Sequence, residues 1–161
     1  MLAVFSFPNP VNEKAARVVA GVVALTGVVI LATGWHWLLV PLAYGFWARV
    51  LTGPTLSPLG QFATRVVAPR LGPPRIVSGP PKRFAQAMGA TITTAGSLAW
   101  ALGETGLADL LLAAIVVAAT LESVFAFCVG CQIFGLLMRA GLVPDAVCAE
   151  CADIWARASR A

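Results

Sequence analysis

The sequence predicts an all-α fold: an integral membrane four-helix bundle with a short C-terminal amphipathic helix. Three observations carry that expectation. Hydrophobic residues make up 59% of the 161-residue chain and charged residues 11%, against roughly 45–50% and about 25% in soluble domains. The mean hydropathy is +0.86, and a single domain of this size cannot hide such an excess in its own core. The apolar residues fall into four long runs separated by two short turns and one Pro/Gly-rich loop. Lipid suits such runs, so residues 1–161 are read as a single membrane domain whose partner is the bilayer.

The first span covers about 15–33 and has no charge after Arg17. Asn9, Pro10, Asn12 and Glu13 precede it, and no small-residue cleavage site with a polar start follows. It therefore reads as a retained helix rather than a secretory signal. The second span covers about 35–51, with His36 between Trp35 and Trp37 near its start and Arg49 near its end. The tryptophans form an aromatic belt with His36 as an interfacial anchor, and Arg49 is expected to snorkel toward headgroups. The third span, about 84–102, carries Gly89, Ala90, Thr93 and Gly96, small residues that suit close helix contacts.

The fourth span covers about 107–131, and its apolar run continues to Met138. A straight helix as far as Ala140 would be roughly 50 Å long, more than a bilayer core needs. A bend is expected at Gly130, with Gly141 as the C-terminal cap and Pro144 as the stop. From Pro144 onward Val147, Cys148, Cys151, Ile154 and Trp155 form one apolar face. That pattern predicts an amphipathic helix over 144–158 that folds back beside the fourth span.

Charge sets the orientation. The loop 52–83 carries Arg65, Arg70, Arg75, Lys82 and Arg83 and no acid, whereas the turn before the fourth span carries Glu104 and Asp109 and no base. Basic residues stay on the cytoplasmic side, so both termini and the loop are expected there. The net charge of +4 then faces anionic lipid headgroups, and no nucleic acid is needed to explain it. Within the loop, Leu59 to Val67 predicts a short surface helix, opened by Ser57 and Pro58 and stopped by Pro69. The loop otherwise reads as a basic tether or a docking element for a partner.

All four cysteines fall into two Cys-x-x-Cys pairs, Cys128/Cys131 and Cys148/Cys151. One reading is a dithiol centre for thiol redox or sulfur transfer, with these four residues catalytic: Cys148 attacks, Cys151 resolves, and Cys128/Cys131 form the inner pair. A second is a zinc or other metal site made by the same four thiolates, since the spacing falls within that of zinc sites. A third takes them as small buried hydrophobes in a non-catalytic helical membrane subunit. Glu122 is the one acid inside a predicted span, and such groups are functional candidates. On a regular helix it lies about 120° away from Cys128, so its expected partner is a polar group on a neighbouring helix.

The motifs Phe46-Trp47-Ala48-Arg49, Gly53-Pro54, Ser57-Pro58, Pro81-Lys82-Arg83-Phe84-Ala85 and above all Phe127-Cys128-Val129-Gly130-Cys131-Gln132-Ile133-Phe134 resemble the bacterial domain-of-unknown-function family 4395. The resemblance covers nearly the whole chain. It implies a multi-pass protein of the bacterial cytoplasmic membrane and no settled activity. It also implies association with thioredoxin-like and sulfurtransferase proteins, and hence thiol or sulfur chemistry at Cys128 and Cys131.

Overall fold

Asn12 opens the first helix, α1 (Glu13–Thr33), because its side-chain oxygen accepts the Lys14 amide at 3.0 Å. Gly34 closes it at φ 73, a left-handed conformation that glycine reaches without strain. The structure is a computed structural model, and it describes residues 7–148. The expected second span is divided into a tight 3-10 turn at His36–Leu38 followed by α2 (Leu39–Thr52). Pro41, which has no amide hydrogen to give, sits in the first turn of α2, where none is required.

The loop carries a helix that opens where its sequence predicts, although helical turns run on through Pro69 to Leu71 instead of stopping there. In α3 (Pro58–Phe62), Ser57 Oγ accepts the Gly60 amide at 3.1 Å and Pro58 takes the first position. A wider turn over Ala63–Val67 and a 3-10 turn over Ala68–Leu71 extend it. This segment is more than a tether. Ala63 and Ala68 are buried in the main core beside Ala15, Val19 and Phe46. A two-residue antiparallel ladder between β1 (Val11–Asn12) and β2 (Ile76–Val77) ties the start of α1 to the end of the loop.

α4 (Gly79–Ala101) and α5 (Thr105–Phe125) complete the bundle. α1 packs on α5, α5 on α4 and α4 on α2. Gly89 admits the Phe46 ring from α2, since a Cβ there would collide with it. A second core cluster at the opposite end joins Ile30, Leu39, Ala99, Ala108 and Leu112.

The expected fourth span, 107–131, is corrected. α5 stops at Phe125, and a separate helix, α6 (Val129–Arg139), begins after a sharp elbow. The bend is at Ala126, not Gly130. Gly130 instead lies against α4, where a Cβ would come within 2.6 Å of Ala85 Cα and Cβ. The glycine is thus spent on helix contact, and the chain turns where α5 runs out of internal hydrogen-bond partners. The C-terminal helix expected over 144–158 falls mostly outside the described residues, and so does Cys151. The described part holds a 3-10 turn at Asp145–Val147.

The fold is therefore all-α among the described residues, apart from the short ladder. α1 and α5 are long and apolar enough to cross a membrane, with hydropathies of 2.2 and 2.0. Their outer faces leave large apolar side chains such as Leu25, Leu110 and Val117 exposed.

Candidate dithiol site

The site is built on the elbow. Ala126 adopts φ 56 and turns the chain, with its amide donating to Leu121 O. Phe127 N–H donates to the same carbonyl at 3.1 Å. The last carbonyls of a helix lack internal partners, and Arg17 of α1 supplies some of them. Its Nε and Nη2 donate to Ser123 O at 3.0 and 2.9 Å, and Nη2 donates to Val124 O at 3.1 Å. A cation also suits the negative end of the α5 dipole.

Two residues later the chain starts again as a helix, and Cys128 is its cap. Its backbone is extended, and its sulfur accepts the Cys131 amide at 3.3 Å. A thiolate fits this position, because the free amides and the helix dipole both favour negative charge. Cys128 is buried, Cys131 is half-buried, and both are free thiols. The Cys-x-x-Cys spacing thus places one sulfur at the helix start and the other one turn in.

Both cysteines lie beyond the end of α5. A hydrogen bond from the Cys131 thiol holds the Cys128 thiol below its ordinary 9.0; burial and Glu122 oppose this, and Lys82 assists it. The same bond, with burial, pushes Cys131 up. The pair is therefore asymmetric: Cys128 is the more acidic thiol and Cys131 the less acidic.

Glu122 finds its partner on a neighbouring helix, as expected from its position. Lys82 Nζ of α4 donates to Glu122 Oε1 at 2.6 Å, and the two side chains are only 9% and 14% exposed. The elbow adds what a regular helix forbade, since both members of this pair act electrostatically on Cys128. Counted in the sequence as one more loop cation, Lys82 was missed as a site residue. Its signal was its place in the first turn of a helix, where a cation works against the dipole and needs an acid beside it.

Arg49 does not snorkel. It is 6% exposed. Its Nε donates to Gln86 Oε1 at 2.8 Å and its Nη1 to Ser57 Oγ at 3.3 Å. The guanidinium carbon stands 4.8 Å from the Phe46 ring centroid. Gln86 and Ser57 give it acceptors inside the protein, so it has no need to reach headgroups. At the opposite end His36 Nε2 lies 2.7 Å from Asp109 Oδ1, joining the turn before α2 to α5. The exposed Trp35 and Trp37 flank it.

The second pair is only partly described. The reversal after Gly141 brings Cys148 back onto α6, where it is buried against Phe134 and Met138. Those residues lie one and two turns beyond Cys131. Cys148 is disulfide-bonded, and the bond is not made with Cys128 or Cys131, which are free. The structure therefore brings Cys128, Cys131, Glu122 and Lys82 together and places Cys148 further along the same helix. Among the described residues no three Cys, His, Asp or Glu side chains are grouped to hold a metal ion.

No curated protein and no solved structure matches the chain. One family does: a profile described as Domain of unknown function (DUF4395) matches residues 11–139. The matched stretch begins at β1, ends with α6, and takes in the elbow and both thiols of the first pair. By that match the chain belongs to the DUF4395 family.

Proposed function

We propose that this is a multi-pass membrane protein whose Cys128/Cys131 pair carries out thiol redox or sulfur transfer on the cytoplasmic side. The carrying observation is the seat of Cys128, whose sulfur caps α6 and accepts the Cys131 amide at 3.3 Å. That is the geometry of an attacking thiolate with a resolving thiol one turn away. The roles given to the cysteines from sequence shift accordingly: Cys128 attacks, Cys131 resolves, and Cys148/Cys151 form a second pair that exchanges with it.

Membrane placement rests on α1 and α5 and on the distribution of charge. The start of α1, the end of α2, the start of α4 and the end of α5 share one end of the bundle, as the bonds of Arg17, Lys82 and Arg83 require. Lys14, Arg17, Arg49, Lys82 and Arg83 gather there, while the other end carries Glu104 and Asp109. By the positive-inside rule we take that end, and with it both termini, to face the cytoplasm. A reduced thioredoxin-like protein or a sulfurtransferase is the partner proposed for Cys128. The metal alternative needs Cys148 beside Cys128 and Cys131, whereas Cys148 packs further along α6 against Phe134 and Met138.

The test is a trap. With Cys131→Ser, a thioredoxin-like protein that lacks its own resolving cysteine and carries its remaining thiol as an aromatic mixed disulfide should lose the aromatic thiol to attack by Cys128 and remain covalently attached through it. Cys128→Ser should abolish the adduct. If wild-type Cys128 neither forms an adduct nor exchanges with a small aromatic disulfide, the dithiol reading fails. A persulfide found on Cys128 after incubation with a sulfurtransferase and its sulfur donor would select sulfur transfer over plain exchange.

A further inference from the structure

A dithiol buried at the end of a membrane bundle needs somewhere to send its electrons. Beside Cys128 the bundle contains a cavity of about 220 Å³. Val19 and Val23 of α1, Gly89 and Ile92 of α4, and Ala114 and Ala118 of α5 form its walls. Cys128, Glu122 and Gln86 line it as well. From Ala114 to Glu122 the α5 wall rises about 12 Å, which gives the space an apolar length and a polar end.

Three features of this space point to one kind of occupant. Its walls are apolar, from Val19, Val23 and Ile92 to Ala114 and Ala118, with the Phe46 ring among them, so the space suits an apolar body. Ala114, at the apolar end, is exposed on the outer surface of α5, a helix apolar enough to span. A lipid-soluble molecule therefore has a way in from the side. At the polar end, Arg49 engages the Gln86 oxygen, which leaves the Gln86 amide hydrogens as donors for a carbonyl. Among the described residues Arg49 Nη2, itself buried, has no hydrogen-bond partner. Its neighbours Phe46 and Gln86 both line the cavity.

We infer that this cavity binds the ring of a membrane quinone and that the Cys128/Cys131 dithiol reduces it. The inference rests on the dithiol reading above and adds the electron acceptor. The volume is below the roughly 300–1,000 Å³ of sites that enclose a whole ligand, so it suits the ring alone, with the tail in lipid. In the step, the Cys128 thiolate and the Cys131 thiol become a disulfide. The released electron pair and the Cys131 proton pass to the quinone. The Lys82–Glu122 pair supplies the second proton and regains it from the solvent side. The products are one disulfide and one quinol. Exchange with the dithiol of a thioredoxin-like partner restores the reduced pair.

The test uses the full-length protein in lipid nanodiscs, reduced, freed of reductant and kept anaerobic. Short-chain ubiquinone is added in one turnover. Quinol and the Cys128–Cys131 disulfide should appear in equal amounts, and neither should form with Cys131→Ala. Ala118→Leu, which fills the cavity, should slow quinol formation by about tenfold or more, with the milder Ala114→Val giving a smaller slowing. Exchange of Cys128 with a small aromatic disulfide, the check on folding, should change by less than about twofold. If reduced wild type exchanges normally and yields no quinol, the acceptor inference is overturned while the dithiol reading stands; a lipid chain is then the occupant. If both cavity variants exchange normally and reduce quinone at the wild-type rate, the cavity is not the site. If Cys128 does not exchange at all, both readings fall together.

Discussion

The sulfur of Cys128 receives the amide of Cys131 across 3.3 Å, and the thiol of Cys131 donates to the same sulfur. The thiol bond makes the two cysteines unequal before any partner arrives. Cys128 sits below its ordinary 9.0 and Cys131 above it.

The first prediction concerns pH. The thiolate is the reactive form, so alkylation of Cys128 should persist as the pH falls below 9.0, and Cys131 should lag at every pH tested. Cys131→Ala removes the main hydrogen bond to the Cys128 sulfur. The Cys128 profile should then move to higher pH. Iodoacetamide rates, read peptide by peptide by mass spectrometry, check both statements. A profile unchanged by Cys131→Ala would contradict them.

The second concerns Lys82 and Glu122. Both side chains are nearly buried, and losing one partner strands the other. Lys82→Ala or Glu122→Ala should each destabilise by about 3–5 kcal/mol, whereas Lys82→Met with Glu122→Leu should recover most of the loss. A double-mutant cycle on denaturation in detergent measures the coupling. Additive single losses would show that the two residues act independently.

The third concerns the contact between α6 and α4. A side chain at Gly130 would press into Ala85. Gly130→Ala should cost about 1–3 kcal/mol by overpacking, and it should raise the alkylation rate of Cys128 as α6 lifts from α4. A stable Gly130→Ala protein with an unreactive Cys128 would refute this.

The fourth concerns the elbow. Ala126 is held at φ 56, where an L-residue costs roughly 1–2 kcal/mol and glycine pays much less. Ala126→Gly should raise the melting midpoint and leave the Cys128 profile where it was. A lowered midpoint would mean that the Ala126 methyl group makes contacts worth more than the strain.

The helices of the bundle were legible in the sequence because they are long, and their outward-facing and core-facing residues are both apolar. Local chemistry was legible too: Ser57 and Pro58 begin α3 where they should, and Gly34 and Gly141 take the positive φ values that stop a helix. The elbow was not. Phe125, Ala126 and Phe127 carry no Pro or Gly, and the Arg17 that takes the Ser123 and Val124 carbonyls near the end of α5 is distant in sequence. Gly130 drew the expected bend because glycine is read as flexibility, and its use as a point of contact becomes apparent only with Ala85 opposite. The same holds for Arg49: a span-end arginine reads as a headgroup ligand until Gln86 and Ser57 are placed around it. For the candidate site, the thiols were visible as spacing, Glu122 as an isolated acid, and Lys82 only once α4 had been laid across α5.

Arg17 has a consequence for how the protein is made. It lies in α1, and its acceptor Ser123 follows 106 residues later. Closing so long a loop is slow compared with forming a helix. The elbow cannot be fastened until α5 has been synthesised and has come to rest against α1. During synthesis α1 must wait with an unsatisfied guanidinium. Cys128 and Cys131 therefore take their places only after α1 and α5 have met.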